Sequence, residues 1–101
     1  MPACALVLLS TVAFAEPGAQ RQSELMNLLQ HDCGSCHGLT LRGGLGPPLT
    51  ARALAGRSRA TLAAAVRYGR PGTPMPPWAG LLSDEDIDWL VGAMLRGVNH
   101  D

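Results

Sequence analysis

The chain has 101 residues, eight arginines, no lysine and eight acidic residues, so its formal charge at pH 7 is zero. That balance excludes nucleic-acid binders, whose affinity rests on neutralising phosphates, and polybasic membrane-surface proteins. One small domain is the ceiling, and a domain this size buries only about 60% of the surface its unfolded chain exposes, so a disulfide, a metal or a cofactor is needed to add to its core.

Residues 1–15 carry no charge; an apolar run from Ala5 to Leu9 continues less strictly to Ala15 and closes on Ala13-Phe14-Ala15 before Glu16. An h-region followed by a small-x-small site predicts a cleaved export signal over 1–15, a periplasmic destination and a functional domain over 16–101. The run is shorter than the roughly 20 residues of a membrane span, so no stable membrane insertion is expected. No Lys or Arg precedes it, which keeps an uncleaved anchor as the competing reading, although residues 5–15 show no polar face. Cys4 leaves with the signal.

Ser23 precedes Glu24-Leu25-Met26-Asn27-Leu28-Leu29, whose apolar positions 25, 28 and 29 predict a short amphipathic helix running toward Cys33. There the chain reads Cys33-Gly34-Ser35-Cys36-His37, the c-type haem attachment pattern. Two thiols two residues apart on a helical turn reach both vinyl groups of one porphyrin, and the adjacent histidine faces the iron. Three other readings compete. A redox dithiol usually follows a strand, and no strand-like alternation precedes Cys33. Zinc needs two more ligands, and the mature chain has no other cysteine. A plain disulfide has no use for His37.

Gly43 to Pro48 is loop, residues 50–55 allow one or two helical turns, and Ser58 caps a helix from Arg59 to Tyr68 that Gly69 stops before Pro71. Leu62 and Val66 share its apolar face. With His37 on the iron, the candidates for the sixth position are Met26, His31, Met75, Met94 and His100. Met26 and His31 lie on the approach to the motif, on the same side as His37; Met94 falls in a core stripe; His100 is next to the frayed end. Met75 remains, in a loop whose Pro74, Pro76 and Pro77 fix the backbone and forbid a helix; its other reading is a gap-filler in a proline-rich turn. The last helix opens at Ser83 with Asp84, Glu85 and Asp86, and Ile87, Leu90, Val91, Met94 and Val98 form one face. No β period is present, so the fold class expected is all-α.

This order of elements resembles a class I cytochrome c over nearly all of the mature chain: three to five short helices wrapped around one covalently attached haem. The resemblance implies that the carbonyl of Pro47, in Gly46-Pro47-Pro48-Leu49, accepts the hydrogen bond of the histidine's other nitrogen, and that the last helix crosses the first with Gly92 as a plausible contact. The stretches around Cys33–Gly38, Arg42–Pro47 and Gly69–Trp78, with 38 residues from His37 to Met75, resemble the small NirC-type cytochromes that accompany haem-d nitrite reductase. What this implies is a periplasmic monohaem electron carrier, not an enzyme, that donates electrons to nitrite reductase in denitrification or serves the maturation of its haem.

The cofactor set expected is therefore one haem c, with Cys33, Cys36, Pro47 and Trp78 contacting it and His37 and Met75 on the metal. Trp78 either covers the haem, bonds a propionate or fills core under its loop; Arg42 and Arg70 pair with propionates or stay solvated. The alternative function is a haem enzyme or gas-binding sensor in which Met75 is displaceable. The partners expected are redox proteins met by a monomer. Zero net charge points to docking through apolar surface around an exposed haem edge, with weak salt dependence.

Overall fold

The structure is a computed structural model that describes residues 3–6 and 16–98; the expected export signal falls mostly on 1–2 and 7–15, and His100 on 99–101, all outside the described residues. Among the described residues five α-helices form: α1 Ala19–Leu28, α2 Gly34–His37, α3 Ala51–Leu54, α4 Arg59–Tyr68 and α5 Asp84–Arg96. No strand occurs among the described residues, so the chain is all-α as expected. None of these helices is long and apolar enough to cross a membrane.

Helix α1 starts at Ala19, five residues before the Glu24 at which the sequence pattern opens. Ser23 lies inside it, and Gly18 is the N-cap, with no side-chain bond to the helix. The start is held instead by Gln22, whose amide donates to the Pro17 carbonyl at 2.9 Å. After Leu28 the backbone opens into one π-helical turn, Leu29–Cys33, closed by a bond from the Gly34 N–H to the Leu29 carbonyl. An α-helix would carry the core face of Leu25 and Leu29 on to Cys33. The wider turn advances it by five residues, so Gly34 is buried and Cys33 is rotated half out. That turn sets how the two thiols are presented, and periodicity gave no sign of it.

The capping serines behave as read. The Ser58 hydroxyl accepts from the Thr61 N–H at 3.0 Å, and the Ser83 hydroxyl accepts from the Asp86 N–H at 3.1 Å while the Ser83 N–H donates back to Asp86 at 3.2 Å. Helix α5 ends at Arg96 because Gly97 turns with φ 92°, so Val98 lies beyond it and not in its stripe. Leu25, Leu29, Ile87, Leu90 and Val91 are the fully buried large side chains, where α1 and α5 meet. Gly92 is buried, and a Cβ there would lie 2.7 Å from a guanidinium nitrogen of Arg59, the first residue of α4, and 3.1 Å from one of Arg96.

Arg21 joins α1 to α5 with two bonds to Asp86, at 2.8 and 3.3 Å. The Arg21 guanidinium, followed by the Ser83 groups, holds the Asp86 carboxyl below its ordinary range against the opposing effect of burial. A lowered folded value stabilises the protein fully above the unfolded carboxyl value of about 3.9 and ceases to do so as pH falls through the folded one. Thermal melts should therefore show a fall in Tm below about pH 4, and Asp86→Asn should flatten that fall.

Candidate functional site

The segment that ends in His37 is held from behind by the loop that follows it. The carbonyls of Cys36 and His37, left without helical partners at the end of α2, accept from the Gly46 and Gly43 N–H groups at 2.7 and 2.8 Å. Leu41 anchors this loop: it is 3% exposed and adopts φ 60°, a conformation unfavourable for a branched residue that its burial sustains.

The loop then brings Pro47 to the histidine. His37 Nδ1 lies 2.7 Å from the Pro47 carbonyl oxygen. A carbonyl only accepts, so Nδ1 carries the proton and the Nε2 lone pair is free for a metal, with its basicity raised. Gly46 packs on the ring face so closely that a Cβ would stand 2.7 Å from Cε1 and 2.8 Å from Nδ1. Gly46→Ala should push the ring off Pro47, lowering stability by about 1–3 kcal/mol, and the visible spectrum of the haem-loaded protein should change with the weakened ligand. A parent-like melt and spectrum would show that the ring has room to move.

The donor set suits a covalently held haem. Cys33 and Cys36 are both unpaired thiols, one half-buried and one exposed, within four residues of an imidazole whose tautomer is fixed for ligation. The redox-dithiol reading fares worse, because burial, aided by the Asp32 carboxylate, pushes the Cys33 thiol up to about 11, whereas a reactive thiol needs its value lowered. Among the described residues no cluster of three His, Cys, Asp or Glu forms a metal site, so zinc has no support there.

Met75 and Trp78 belong to a second group, carried by α4. The Met75 carbonyl accepts from the Arg70 N–H at 3.2 Å, its N–H donates to the Thr73 hydroxyl at 3.3 Å, and the Trp78 and Ala79 N–H groups donate to the carbonyls of Val66 and Arg67. Gly69, at φ 68°, lets the chain double back, since a Cβ there would stand 2.6 Å from the Met75 carbonyl oxygen. Met75 is half-buried, and Trp78 is half-buried against the core. Of the other ligand candidates, Met94 is 5% exposed in the core. Met26 lines a groove between α1 and α5, and His31 is exposed in the π turn.

Arg42 shares a cavity of about 620 Å³ with Pro48, Thr50, Arg52 and Ala53. The sequence reading did not single out Arg52, nor the role of Gly46 behind the imidazole. A glycine directly before the clamping proline was the available signal for the second.

Residues 20–92 match the family described as cytochrome C oxidase, cbb3-type, subunit III. Cytochrome c55X of Pseudomonas aeruginosa is 58% identical over 86 residues, covering 85% of this chain and 72% of that protein. Two solved structures are similar. The c-type cytochrome NirC is 60% identical with a TM-score of 0.78 over 79% of this chain and 94% of that one. The dihydro-heme d1 dehydrogenase NirN in complex with DHE is 32% identical with a TM-score of 0.68 over 75% of this chain and 16% of that one. With the family matched over most of its length and its fold shared with NirC, the chain belongs to the small c-type cytochromes related to cytochrome c55X, a family that implies haem c and electron transfer.

Proposed function

We propose that this chain is a periplasmic one-electron carrier of the nitrite-reducing system, a monomer with one haem c, donating electrons to a haem-d nitrite reductase. Cys33 and Cys36 would hold the porphyrin through thioethers, and His37 Nε2 and the Met75 thioether would ligate the iron. The observation that carries the reading is the 2.7 Å bond from His37 to the Pro47 carbonyl, which leaves Nε2 as the one ring nitrogen with a free lone pair. The bound haem supplies a one-electron couple, and the softer thioether favours its ferrous form. The protein's share is to keep the proton on Nδ1, to fix the Met75 backbone on α4 and to surround the group with apolar side chains, which limits reorganisation on transfer. With both His37 and Met75 engaged by the metal, no ligating position would be left for a substrate, which is why a carrier is proposed in preference to an enzyme or gas sensor.

A second reading draws on the likeness to dihydro-heme d1 dehydrogenase: the carrier takes electrons from the dehydrogenation that completes the special haem. Anaerobic stopped-flow mixing separates the two. Ferrous holoprotein mixed with haem-d nitrite reductase and nitrite is expected to be oxidised within the enzyme's turnover time. If instead only the dehydrogenase with its dihydro-haem reduces the ferric holoprotein, the maturation role stands, and no transfer with either sinks the proposal.

A further inference from the structure

The loop behind His37 is tied to the rest of the molecule at a single side chain. Gly38, Gly43, Gly44 and Gly46 bring no side chain to it, and of residues 38–48, all of them described, Leu41 alone is buried. Its side chain joins the hydrophobic core cluster. The same residue closes the loop through its backbone. The Leu41 N–H donates to the Gly38 carbonyl, and the Leu41 carbonyl accepts from the Leu49 N–H, both at 2.8 Å. Between those two ends lie Gly46, packed on the imidazole face, and Pro47, whose carbonyl oxygen stands 2.7 Å from His37 Nδ1.

These ties account for the φ of 60° at Leu41. A leucine holds that conformation only where its surroundings over-determine it. Returning φ to the ordinary negative range would swing the side chain and the carbonyl together relative to the N–H. Either a loop bond or the burial would then be lost. Glycine or asparagine would sit there with less strain, but neither offers the core an apolar group. The strain is therefore sustained by burial, and what the burial holds in place is the segment that carries Pro47.

We propose that Leu41 is the positioning residue for His37: burial of its side chain fixes the backbone from which Pro47 reaches Nδ1, and so sets how strongly Nε2 donates to the iron. The inference rests on the reading of His37 as the iron ligand given above and adds the residue that governs its strength. A looser bond to Pro47 leaves the imidazole less basic. A less basic imidazole stabilises ferric iron less, and the midpoint potential rises.

The test follows the His37 Nδ1–H in nitrogen-15 spectra of the ferrous holoprotein. In Leu41→Asn, which suits the backbone and removes the apolar anchor, that proton should exchange with solvent at least about tenfold faster than in the parent, and the midpoint potential should rise. Leu41→Met, which keeps apolar bulk, should restore both to near the parent values. Ile87→Val removes a methylene from the core on α5, where Ile87 is fully buried; it should lower Tm and leave the Nδ1–H exchange unchanged. Parent-like exchange in Leu41→Asn, no rescue by Leu41→Met, or equal acceleration by Ile87→Val would overturn the proposal. Should Leu41→Asn fail to mature, the parent decides. In low denaturant its His37 Nδ1–H and the amides of Gly46 and Leu49 should exchange through one shared opening, and an Nδ1–H that exchanges ahead of the Leu49 amide would equally refute the role. A parent whose His37 ring protons lack the upfield displacement of an imidazole seated over a porphyrin would instead remove the ligand reading itself, an outcome distinct from these.

Discussion

Cys33→Ala with Cys36→Ala, expressed in a host that matures c-type cytochromes, should give a colourless chain with less than about half the parent's helicity and no cooperative melt. The reason lies in the size of the core. Among the described residues the buried hydrophobic ones number eleven, two of them alanines, and five large side chains are wholly enclosed. Helices α2 and α3 have four residues each, well below the roughly 12–15 residues at which a helix is even marginal alone. The loop behind His37 contributes one buried anchor, Leu41, in an unfavourable backbone conformation. Such a chain needs a large apolar body bonded into it, and the two thiols are where that body attaches. Circular dichroism and a thermal melt decide the matter: native helicity and a sharp transition in the variant would show that the polypeptide folds without help.

Met75→Ala should abolish the weak far-red band of thioether-to-iron bonding in the ferric protein and lower the midpoint potential by on the order of 0.2 V, within the roughly 0.8 V that axial ligation spans. Because the substitution removes only the thioether, the loop should survive it: its backbone is held by Arg70, Thr73 and the α4 carbonyls, none of which uses the Met75 side chain. The readout is therefore of ligation and not of folding. Met26→Leu is the control, since Met26 lines the separate groove between α1 and α5; it should leave band and potential where they were. A band that persists in Met75→Ala and vanishes with Met26→Leu would move the ligand to α1.

Local signals in the sequence were sufficient wherever one short stretch carries the whole cause. Cys33 to His37 is such a stretch, because thiol spacing and the adjacent imidazole are set by five consecutive residues. The caps of α4 and α5 are others, since each serine bonds an N–H three residues on. Gly69 before Pro71 stops α4 by its own backbone freedom, at φ 68°. Chain order of helices and loops, and with it the all-α class, followed from these markers.

What the sequence left open depends on residues far apart. Helix α1 begins before Ser23 because its first turn reaches across to α5, where Arg21 meets Asp86 over a separation of 65 residues. The π turn exists because the core accepts Gly34 at a place where α-helical spacing would deliver Cys33. Gly92 faces Arg59 of α4, a neighbour that no pattern within α5 announces. Net charge shows the same limit: composition fixes the sum at zero, but which arginines keep their charge exposed is settled by which carboxylates reach them, and that is decided only when α4 packs on α5. Short-range bonding is written in the order of residues, while burial and pairing depend on the approach of segments that the chain brings together only on folding.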